Sequence, residues 1–227
     1  MKLPGLSIVF PAYNDANSIP ALIAKAHKTG RKVALKHEII VVNDGSQDNT
    51  RAVLQKLSQK YSRLYIVHHA KNKGYGAALR SGFKKTRMAW VFYTDGDGQY
   101  DPTELIKLVG QLDSKTDVVN GYKHRRSDSF LRTQMGNLYN AFVHMRYRLP
   151  IRDIDCDFRL MRASILKKIR LKSTSGGFPL ELVVALSRAG ARFKEVPVSH
   201  YPRTAGTSQF FRPRHLLATL RDLFVVG

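Results

Sequence analysis

The chain has 227 residues, 43% of them hydrophobic, which is enough for one sizeable domain with a buried core or for two small ones. Its formal net charge of +21 indicates an anionic partner: nucleic acid, a membrane surface or a phosphorylated substrate. A single cysteine, Cys156, excludes an internal disulfide framework, and no apolar run is long enough for a signal peptide or a membrane-spanning helix. We therefore expect a protein of a reducing compartment that does not cross a bilayer by itself but could lie on one.

The first half of the sequence alternates short apolar runs with amphipathic segments. We predict strands at 6–10, 38–42, 64–67 and 89–93, and helices at about 18–29, 48–59 and 74–85. This alternation predicts an α/β fold whose sheet is mostly parallel, with right-handed crossovers. Ligands of such sheets bind beyond the carboxyl ends of the strands. The polar turns at 13–15, 44–46 and 95–99 should therefore converge on one crevice.

The turn at 95–99 carries the strongest chemical signal. Asp95, Asp97 and Gln99 fall at alternate positions after a buried apolar strand, so an extended backbone would place them on one face. Gly96 and Gly98 remove bulk, which lets a phosphate or a metal ion approach the backbone. Carboxylate and amide oxygens suit a hard cation such as Mg2+ or Mn2+. The alternative is a plain polar turn that leads into the next helix.

The second half is less regular. We predict helices at 102–112, 164–169 and 179–189, strands at 117–121 and 193–198, a basic segment at 123–126 and an acidic loop at 153–159. Between 129 and 149, apolar residues recur at four- and three-residue spacing, which predicts one helical stripe that is either core or a membrane contact. A basic, aromatic tail ends in an amphipathic helix. We expect a domain at 1–208 and a membrane-associating tail at 209–227.

Three other features do not predict sites of their own. The glycine-rich segment 73–79 fails as a dinucleotide-binding turn because Leu79 stands where the third glycine belongs. We predict that its glycines let a helix start pack closely against the sheet, with direct phosphate contact as the alternative. Cys156 should be an unreactive thiol at the edge of the core, and the eight histidines lack metal-ligand spacing.

Five motifs then point to a family. They are Pro-Ala-Tyr-Asn-Asp at 11–15, Val-Asn-Asp-Gly-Ser at 42–46, Asp-Gly-Asp-Gly-Gln at 95–99, Asp-Ile-Asp-Cys-Asp-Phe-Arg at 153–159 and Arg-Thr-Ala-Gly-Thr-Ser at 203–208. In this order they resemble the family-2 glycosyltransferases with the GT-A fold, above all the branch that makes polyprenyl-phosphate sugars, typified by dolichol-phosphate mannose synthase. The resemblance spans about 6–208 and implies a Rossmann-like, mostly parallel sheet flanked by helices.

The resemblance implies a site for a GDP- or UDP-hexose donor. The nucleotide pocket would be lined by Pro11, Tyr13, Asp15, Val42 and Asp44, and the ribose and phosphates would lie near Asp95, Gly96 and Lys123. Asp97 and Gln99 would hold the divalent ion, with help from Asp95 directly or through water. From the residues alone, Asp44 could instead satisfy backbone N–H groups at the start of a helix.

The resemblance also implies an acceptor site. Arg132, Arg159 and Arg203 would meet the phosphate of a polyprenyl acceptor, with bracing of its loop as the alternative for Arg159 and solvated surface charge as the alternative for the other two. The catalytic groups are then Asp95, Asp97, Arg132 and Arg203. The chain departs from the family pattern with Asp15 for Glu, Gly98 for a bulkier residue, Lys123 for Arg, Gly136 for Ser and Gln209 for Lys.

We thus predict an inverting, metal-dependent hexosyltransferase that acts on dolichyl or undecaprenyl phosphate, peripheral on the cytosolic face of a membrane. A lipid phosphate is already ionised at neutral pH, so no general base is needed. One alternative is a soluble glycosyltransferase with a glycan hydroxyl acceptor, which would need Asp153, Asp155 or Asp157 as base. The other alternative, suggested by the net charge of +21, is a non-enzymatic nucleic-acid binder. Our prediction is an enzyme without a nucleic-acid partner. A membrane-anchoring partner protein would fit a chain without spanning helices, and the alternative is a longer chain whose spanning helices follow these 227 residues.

Overall fold

The computed structural model describes residues 2–125 and 143–202. Its strands are β1 (Leu6–Ala12), β2 (His37–Asn43), β3 (Leu64–His68), β4 (Trp90–Thr94), β5 (Val118–Arg125), β6 (Phe158–Arg162) and β7 (Phe193–Ser199). Its helices are α1 (Ile19–Val33), α2 (Thr50–Lys60), α3 (Tyr75–Lys85), α4 (Leu105–Gly110), α5 (Ala163–Leu166) and α6 (Phe178–Arg188), with a 3-10 turn at Pro102–Glu104 and a helical turn at 143–147.

The described strands form one mixed sheet in the order β3-β2-β1-β4-β6-β5-β7. β1, β2, β3 and β4 run parallel, and β7 runs parallel to β5, so the predicted mostly parallel α/β sheet is confirmed. β6 lies antiparallel between β4 and β5. The prediction of a loop through 153–159 was wrong at its end, because Phe158 and Arg159 already belong to this strand.

Helices cover both faces of the sheet, which explains why β1 and β2 are buried along their whole length. On one face Phe10, Ile23, Phe92 and Phe158 belong to a core cluster closed by α1 and α4. On the other, a second cluster under α3 and α6 is built from the side chains of Val9, Val42, Leu79, Val91 and Phe178. Because helices cover both faces of the sheet, only the ends of the parallel strands β1, β2, β3 and β4 are left accessible to a ligand.

Several predicted boundaries moved. The helix expected at 102–112 is a 3-10 turn followed by the six-residue α4, and the helix expected at 164–169 is the four-residue α5. Of the predicted stripe at 129–149, only 143–147 is described as helical, and the tail at 209–227 lies outside the described residues. Cys156 is fully buried, which raises the pKa of its thiol and confirms the prediction of an unreactive cysteine.

No helix within the described ranges is long and apolar enough to cross a membrane.

A histidine pair, with His37 buried and His27 half-buried, lies at the amino-terminal end of β2, away from the carboxyl ends of the strands. The Nε2 of His37 lies 3.2 Å from the Nδ1 of His27. The pKa of His37 is lowered to about 4, mainly by burial and in addition by the neighbouring His27, Arg63 and Arg31. The folded protein therefore resists the protonation of His37.

This pair predicts a pH dependence of stability. In the unfolded chain His37 takes up a proton near pH 6.5, but in the folded chain only near pH 4. The free energy of unfolding therefore begins to fall below about pH 6.5, and the fall is complete near pH 4. Between pH 7 and pH 5 the wild type should lose about 2 kcal/mol of unfolding free energy that His37→Gln keeps. Urea unfolding of both proteins at the two pH values measures this difference. Parallel losses would show that His37 does not drive it.

Candidate functional site

The turns that follow β1 and β2 are joined by direct hydrogen bonds. The backbone N–H of Asp44 donates to the carbonyl of Ala12 at 2.9 Å, and the N–H of Asn14 donates to the Oγ of Ser46 at 3.0 Å. The Oδ1 of Asn14 accepts from the N–H of Gln47 at 2.8 Å. Asn14 adopts φ 59°, which an asparagine tolerates in a tight turn.

The turn that follows β4 packs onto the turn that follows β1. The Oγ of Ser18 donates to the carbonyl of Gly96 at 2.7 Å. A Cβ on Gly96 would lie 2.5 Å from the carbonyl oxygen of Pro11 and 3.2 Å from the Oδ2 of Asp15, so a larger residue does not fit there. The three polar turns therefore converge on one crevice, as their positions after parallel strands predict.

Within the β4 turn, Asp97 is only 7% exposed, and its Oδ1 accepts from the N–H of Gln99 at 3.0 Å. The hydroxyl of Tyr75 donates to the Oδ1 of Asp95 at 2.7 Å. Gly98 adopts φ 83°, a conformation that favours glycine. This conformation gives a local reason for glycine at the position where the family pattern has a bulkier residue.

Gln99 connects the β4 turn to the end of the second described range. Its backbone carbonyl accepts from the N–H of Tyr201 at 2.8 Å, and its side-chain amide donates to the carbonyl of Tyr201 at 3.3 Å. Tyr201 directly precedes Pro202, the last described residue. The turn predicted to hold a metal ion is therefore tied to the segment that leads to the fifth motif.

The carboxylate of Asp44 is engaged by the loop after β3. Its Oδ1 accepts from the N–H of Lys73 and its Oδ2 from the N–H of Gly74, both at 2.9 Å, and the Nδ1 of His69 lies 2.5 Å from Oδ1. These contacts match the alternative in which Asp44 satisfies backbone donors at a helix start, here that of α3. The predicted contact between Asp44 and a nucleobase stays a prediction.

The glycines before and within α3 allow a close backbone approach, as predicted, but their partner is a loop and not the sheet. Gly74 adopts φ 93°, and a Cβ there would collide with the carbonyl oxygen of Thr174. A Cβ on Gly76 would collide with the carbonyl oxygen of Ser173. The N–H of Gly76 donates to the carbonyl of Thr174 at 3.2 Å, which occupies one of the amides that a phosphate would need.

Two residues of the predicted nucleotide pocket are buried. Val42 is fully buried among the residues under α3, so only its backbone is left to line a pocket, and its predicted contact with the nucleotide stays a prediction. Pro11 is buried as well, with its carbonyl against Gly96. Tyr13 and Asp15 are half-buried at the crevice, where the Oδ2 of Asp15 accepts from the N–H of Tyr13 at 2.9 Å.

Arg159 has no exposed surface. Its guanidinium donates to the Oδ1 of Asn120 at 2.5 Å, to the hydroxyl of Tyr93 at 2.7 Å and to the carbonyl of Ile154 at 3.3 Å. A residue so enclosed braces the loop before β6. We therefore replace the predicted contact with an acceptor phosphate by this bracing role, which the sequence had left as the alternative.

Lys123 pairs with the acidic loop. Its backbone N–H donates to the Oδ2 of Asp153 at 3.0 Å, and its Nζ lies 3.8 Å from the Oδ1 of the same carboxylate. The carbonyl of Asp153 also accepts from the side-chain amide of Asn120 at 3.0 Å. Any phosphate that Lys123 binds must therefore compete with Asp153.

Asp157 carries a perturbed carboxyl group. Burial raises its pKa to about 6, the positive charge of Arg159 opposes this shift, and the negative charge of Asp155 adds to it. The hydroxyl of Tyr93 donates to the Oδ1 of Asp157 at 3.2 Å. Burial also raises the pKa values of Tyr93 and Tyr75 well above their usual range, so both hydroxyls stay donors.

The oxygen donors at the end of β4 fit a hard cation that is shared with a phosphorylated ligand. Across 2–125 and 143–202, no group of three or more histidine, cysteine, aspartate or glutamate side chains is placed to hold a metal ion. Asp95 and Asp97 offer two carboxylates, and Gln99 adds an amide oxygen. Mg2+ and Mn2+ commonly complete such sets with phosphate oxygens and water. Arg132 and Arg203, the predicted acceptor arginines, lie outside the described residues.

Comparison with known proteins settles the family. The sequence model described as "Glycosyl transferase family 2" matches residues 7–170, which is most of the chain. The chain belongs to glycosyl transferase family 2. The family predicted from the five motifs is therefore confirmed.

The curated relatives in this family share about 30% of their residues with the chain. An undecaprenyl-phosphate 4-deoxy-4-formamido-L-arabinose transferase from Pseudomonas fluorescens is 30% identical over 220 residues, which cover 96% of this chain and 63% of the relative. The transferase of the same name from Edwardsiella ictaluri is 29% identical over 206 residues, 90% and 62% of the two chains. The chain thus spans somewhat less than two thirds of the length of these relatives.

Solved structures share the fold. A glucosyl-3-phosphoglycerate synthase from Mycobacterium tuberculosis, in complex with Mn2+, UDP and phosphoglyceric acid, superposes with a TM-score of 0.74 at 17% identity, covering 98% of this chain and 77% of that one. A mannosyl-3-phosphoglycerate synthase from Rubrobacter xylanophilus gives the same TM-score at 15% identity, over 98% and 72% of the two chains. The GT-A fold predicted for this family-2 chain is confirmed.

Sequence reasoning missed two tyrosines of the crevice. Tyr75 and Tyr93 sit in an apolar helix start and an apolar strand, where an aromatic residue is usually core. Their hydroxyls bond Asp95 and Asp157 in this family-2 site. One signal in the sequence could have found them. The hydroxyl of a buried tyrosine needs a hydrogen-bond partner, and the acidic motifs at 95–99 and 153–159 offer carboxylates that could accept from it.

Proposed function

We propose that the chain transfers a sugar from a nucleoside-diphosphate sugar to a polyprenyl phosphate, with inversion at the anomeric carbon. The observation that carries this proposal is the match of 90–96% of the chain to relatives that are named undecaprenyl-phosphate transferases. The crevice at the carboxyl ends of β1, β2 and β4 supports the donor half, because three polar turns converge there. The relatives' names specify an arabinose derivative, which is a pentose, so the hexose stays a prediction.

A divalent cation, Mg2+ or Mn2+, would be held by Asp97 and Asp95, with the side-chain oxygen of Gln99 as a further ligand. Fold neighbours crystallised with Mn2+ and UDP support this assignment. Bound there, the cation would neutralise charge that develops on the departing diphosphate. We choose neither metal, since both prefer such oxygen donors.

The reaction needs little proton chemistry from the protein. An oxygen of the lipid phosphate forms the new bond to the anomeric carbon while the bond from that carbon to the diphosphate breaks, and the nucleoside diphosphate leaves with the electron pair. Lys123, Arg132 and Arg203 are the cations proposed to orient the two phosphate groups. Arg159 would act indirectly, by holding Tyr93 and the loop that carries Asp153–Asp157.

The proposed site of action is the cytosolic surface of a membrane, where the lipid phosphate is presented. A patch around the helical turn at 143–147 supports this placement. Met145 is 77% exposed there, and Arg146, Arg148 and Arg152, which are close to it in the sequence, are exposed as well. An apolar side chain among arginines suits an anionic bilayer surface. A membrane-anchoring partner protein remains a proposal on the same grounds.

One observation favours a second candidate, transfer to a glycan hydroxyl. Such a reaction needs a base near the acceptor, and the pKa of Asp157 near 6 suits a carboxylate that takes up a proton at neutral pH. The positive charge of Arg159 favours the ionised form of Asp157, which is the form that a base requires.

An acceptor comparison tests the function. The protein is incubated with radiolabelled UDP- and GDP-sugars and either undecaprenyl phosphate in detergent, the matching polyprenol without phosphate, or soluble glycans. We expect label to move only to the phosphate-bearing lipid, in a reaction that EDTA stops and Mn2+ or Mg2+ restores. Transfer to glycans alone would refute the lipid acceptor and select the second candidate.

A further inference from the structure

We propose that Tyr75 is a positioning residue for Asp95, whose carboxylate it holds in the orientation needed to bind a divalent cation together with a nucleoside diphosphate. This inference rests on the proposed function, because it concerns the same cation. The family motifs do not include Tyr75, and the sequence alone places it in a helix start.

The contact itself is short and specific. The phenolic hydroxyl of Tyr75 donates to the Oδ1 of Asp95 at 2.7 Å, and the same hydroxyl also interacts with Asp157. A hydrogen bond to an ionised carboxylate is stronger than one between neutral groups. With one oxygen of Asp95 engaged by Tyr75, rotation of the carboxylate is restricted, which favours one direction for the other oxygen.

The backbone that carries Tyr75 is clamped on both sides. The preceding N–H, that of Gly74, donates to the Oδ2 of Asp44 at 2.9 Å, and the following one, that of Gly76, donates to the carbonyl of Thr174 at 3.2 Å. Both glycines lie so close to the 173–174 backbone that neither accepts a Cβ. The Tyr75 ring packs edge-on against Phe178, with ring centroids 6.5 Å apart and planes at 85°.

These contacts connect the end of β2 and the loop before α6, through Tyr75, to the carboxylate of Asp95 after β4. Asp44 at the end of β2 and Thr174 before α6 fix the position of Tyr75, and Tyr75 fixes Asp95 at the end of β4. A ligand held by such an outer partner binds its metal more tightly, and loss of the partner typically costs 10–100-fold in metal affinity. The link also gives Asp44 a role in the site that needs no contact with a nucleobase.

The test measures cation binding and not turnover. Free Mn2+ is followed by electron paramagnetic resonance while the full chain is titrated with Mn2+ in the presence of saturating UDP, and separately of GDP. Tyr75→Phe removes only the hydroxyl, and Tyr65→Phe makes the same chemical change on the edge strand β3, away from the crevice. We expect the nucleotide-dependent Mn2+ affinity to fall at least 10-fold in Tyr75→Phe and to stay within twofold of the wild type in Tyr65→Phe. Nucleotide binding without metal should change in neither variant.

Each other result counts against the inference. Equal Mn2+ affinity in wild type and Tyr75→Phe would overturn it and leave the proposed function standing. If the wild type bound no Mn2+ with either nucleotide, the cation assignment and this inference would fall together. Thermal unfolding checks the fold, and a Tyr75→Phe protein that is unfolded at the assay temperature would show that the hydroxyl is structural, which also overturns a positioning role.

Discussion

Asp97→Ala should abolish the cation-dependent part of nucleotide binding and lower sugar transfer by about 10³-fold, equivalent to about 4 kcal/mol of transition-state stabilisation. Asp97 is buried at the end of β4 and is one of only two carboxylates that this turn offers. With one carboxylate left, a divalent cation keeps too few protein ligands to stay beside the diphosphate. In a thermal-shift experiment, a ligand at a hundredfold excess over its Kd stabilises the wild type by about 2.7 kcal/mol.

The measurement compares melting temperatures with UDP or GDP, with and without Mn2+. Asp113→Ala is the matched control, since Asp113 is a half-exposed carboxylate paired with Lys194 away from the crevice. The control should keep the full Mn2+-dependent shift. The loss of the Asp97–Gln99 hydrogen bond alone costs about 1 kcal/mol of stability, so the apoprotein should still fold. An unchanged Mn2+-dependent shift in Asp97→Ala would remove this residue from the cation site.

Arg159→Met is expected to lower the free energy of unfolding by about 3–5 kcal/mol, a large part of the total for a domain of this size. The substitution leaves the fully buried Asn120 and the carbonyl of Ile154 without their donor. Each buried polar group that loses its partner costs about 1–3 kcal/mol. It also removes the positive charge that opposes the raised pKa of Asp157, so this pKa should rise further.

Urea unfolding measures the loss, with Arg152→Met as control. Arg152 also pairs with a carboxylate, that of Glu195, but its side chain is 67% exposed, so its loss should cost under 1 kcal/mol. A stable Arg159→Met protein with a raised KM for the lipid phosphate would instead restore the acceptor contact implied by the resemblance to the family.

The parallel half of the fold was predictable because its signals are local. The runs in β1, β2 and β4 are buried and mostly apolar, as expected of strands covered on both faces, and each is followed by polar residues. The convergence of the three turns then follows from strand direction alone. Asp95, Asp97 and Gln99 predicted a cation site from their own chemistry and spacing, and the family resemblance added the nucleotide sugar; both roles remain to be tested.

The sequence was least informative where contacts between distant residues decide the structure. β6 has only five residues and holds a charged Arg159 in its interior, so its periodicity resembles a loop until Tyr93 and Asn120 are brought beside it. Val42 matched a nucleotide-pocket position by motif, yet strand alternation turns its side chain toward α3. The backbone N–H groups of Lys73 and Gly74, which donate to Asp44, lie 29 and 30 residues away in the sequence, so no local pattern predicts them as its partners.

The pair of hydrogen bonds between Gln99 and Tyr201 has a practical consequence for anyone who handles this protein. Shortening the chain to before residue 201 would remove a brace from the DGDGQ turn, and a purification tag fused close behind Pro202 would be attached within a few residues of that brace. Activity lost on trimming or tagging at this point would therefore report damage to the proposed donor site, even where the protein expresses and purifies normally.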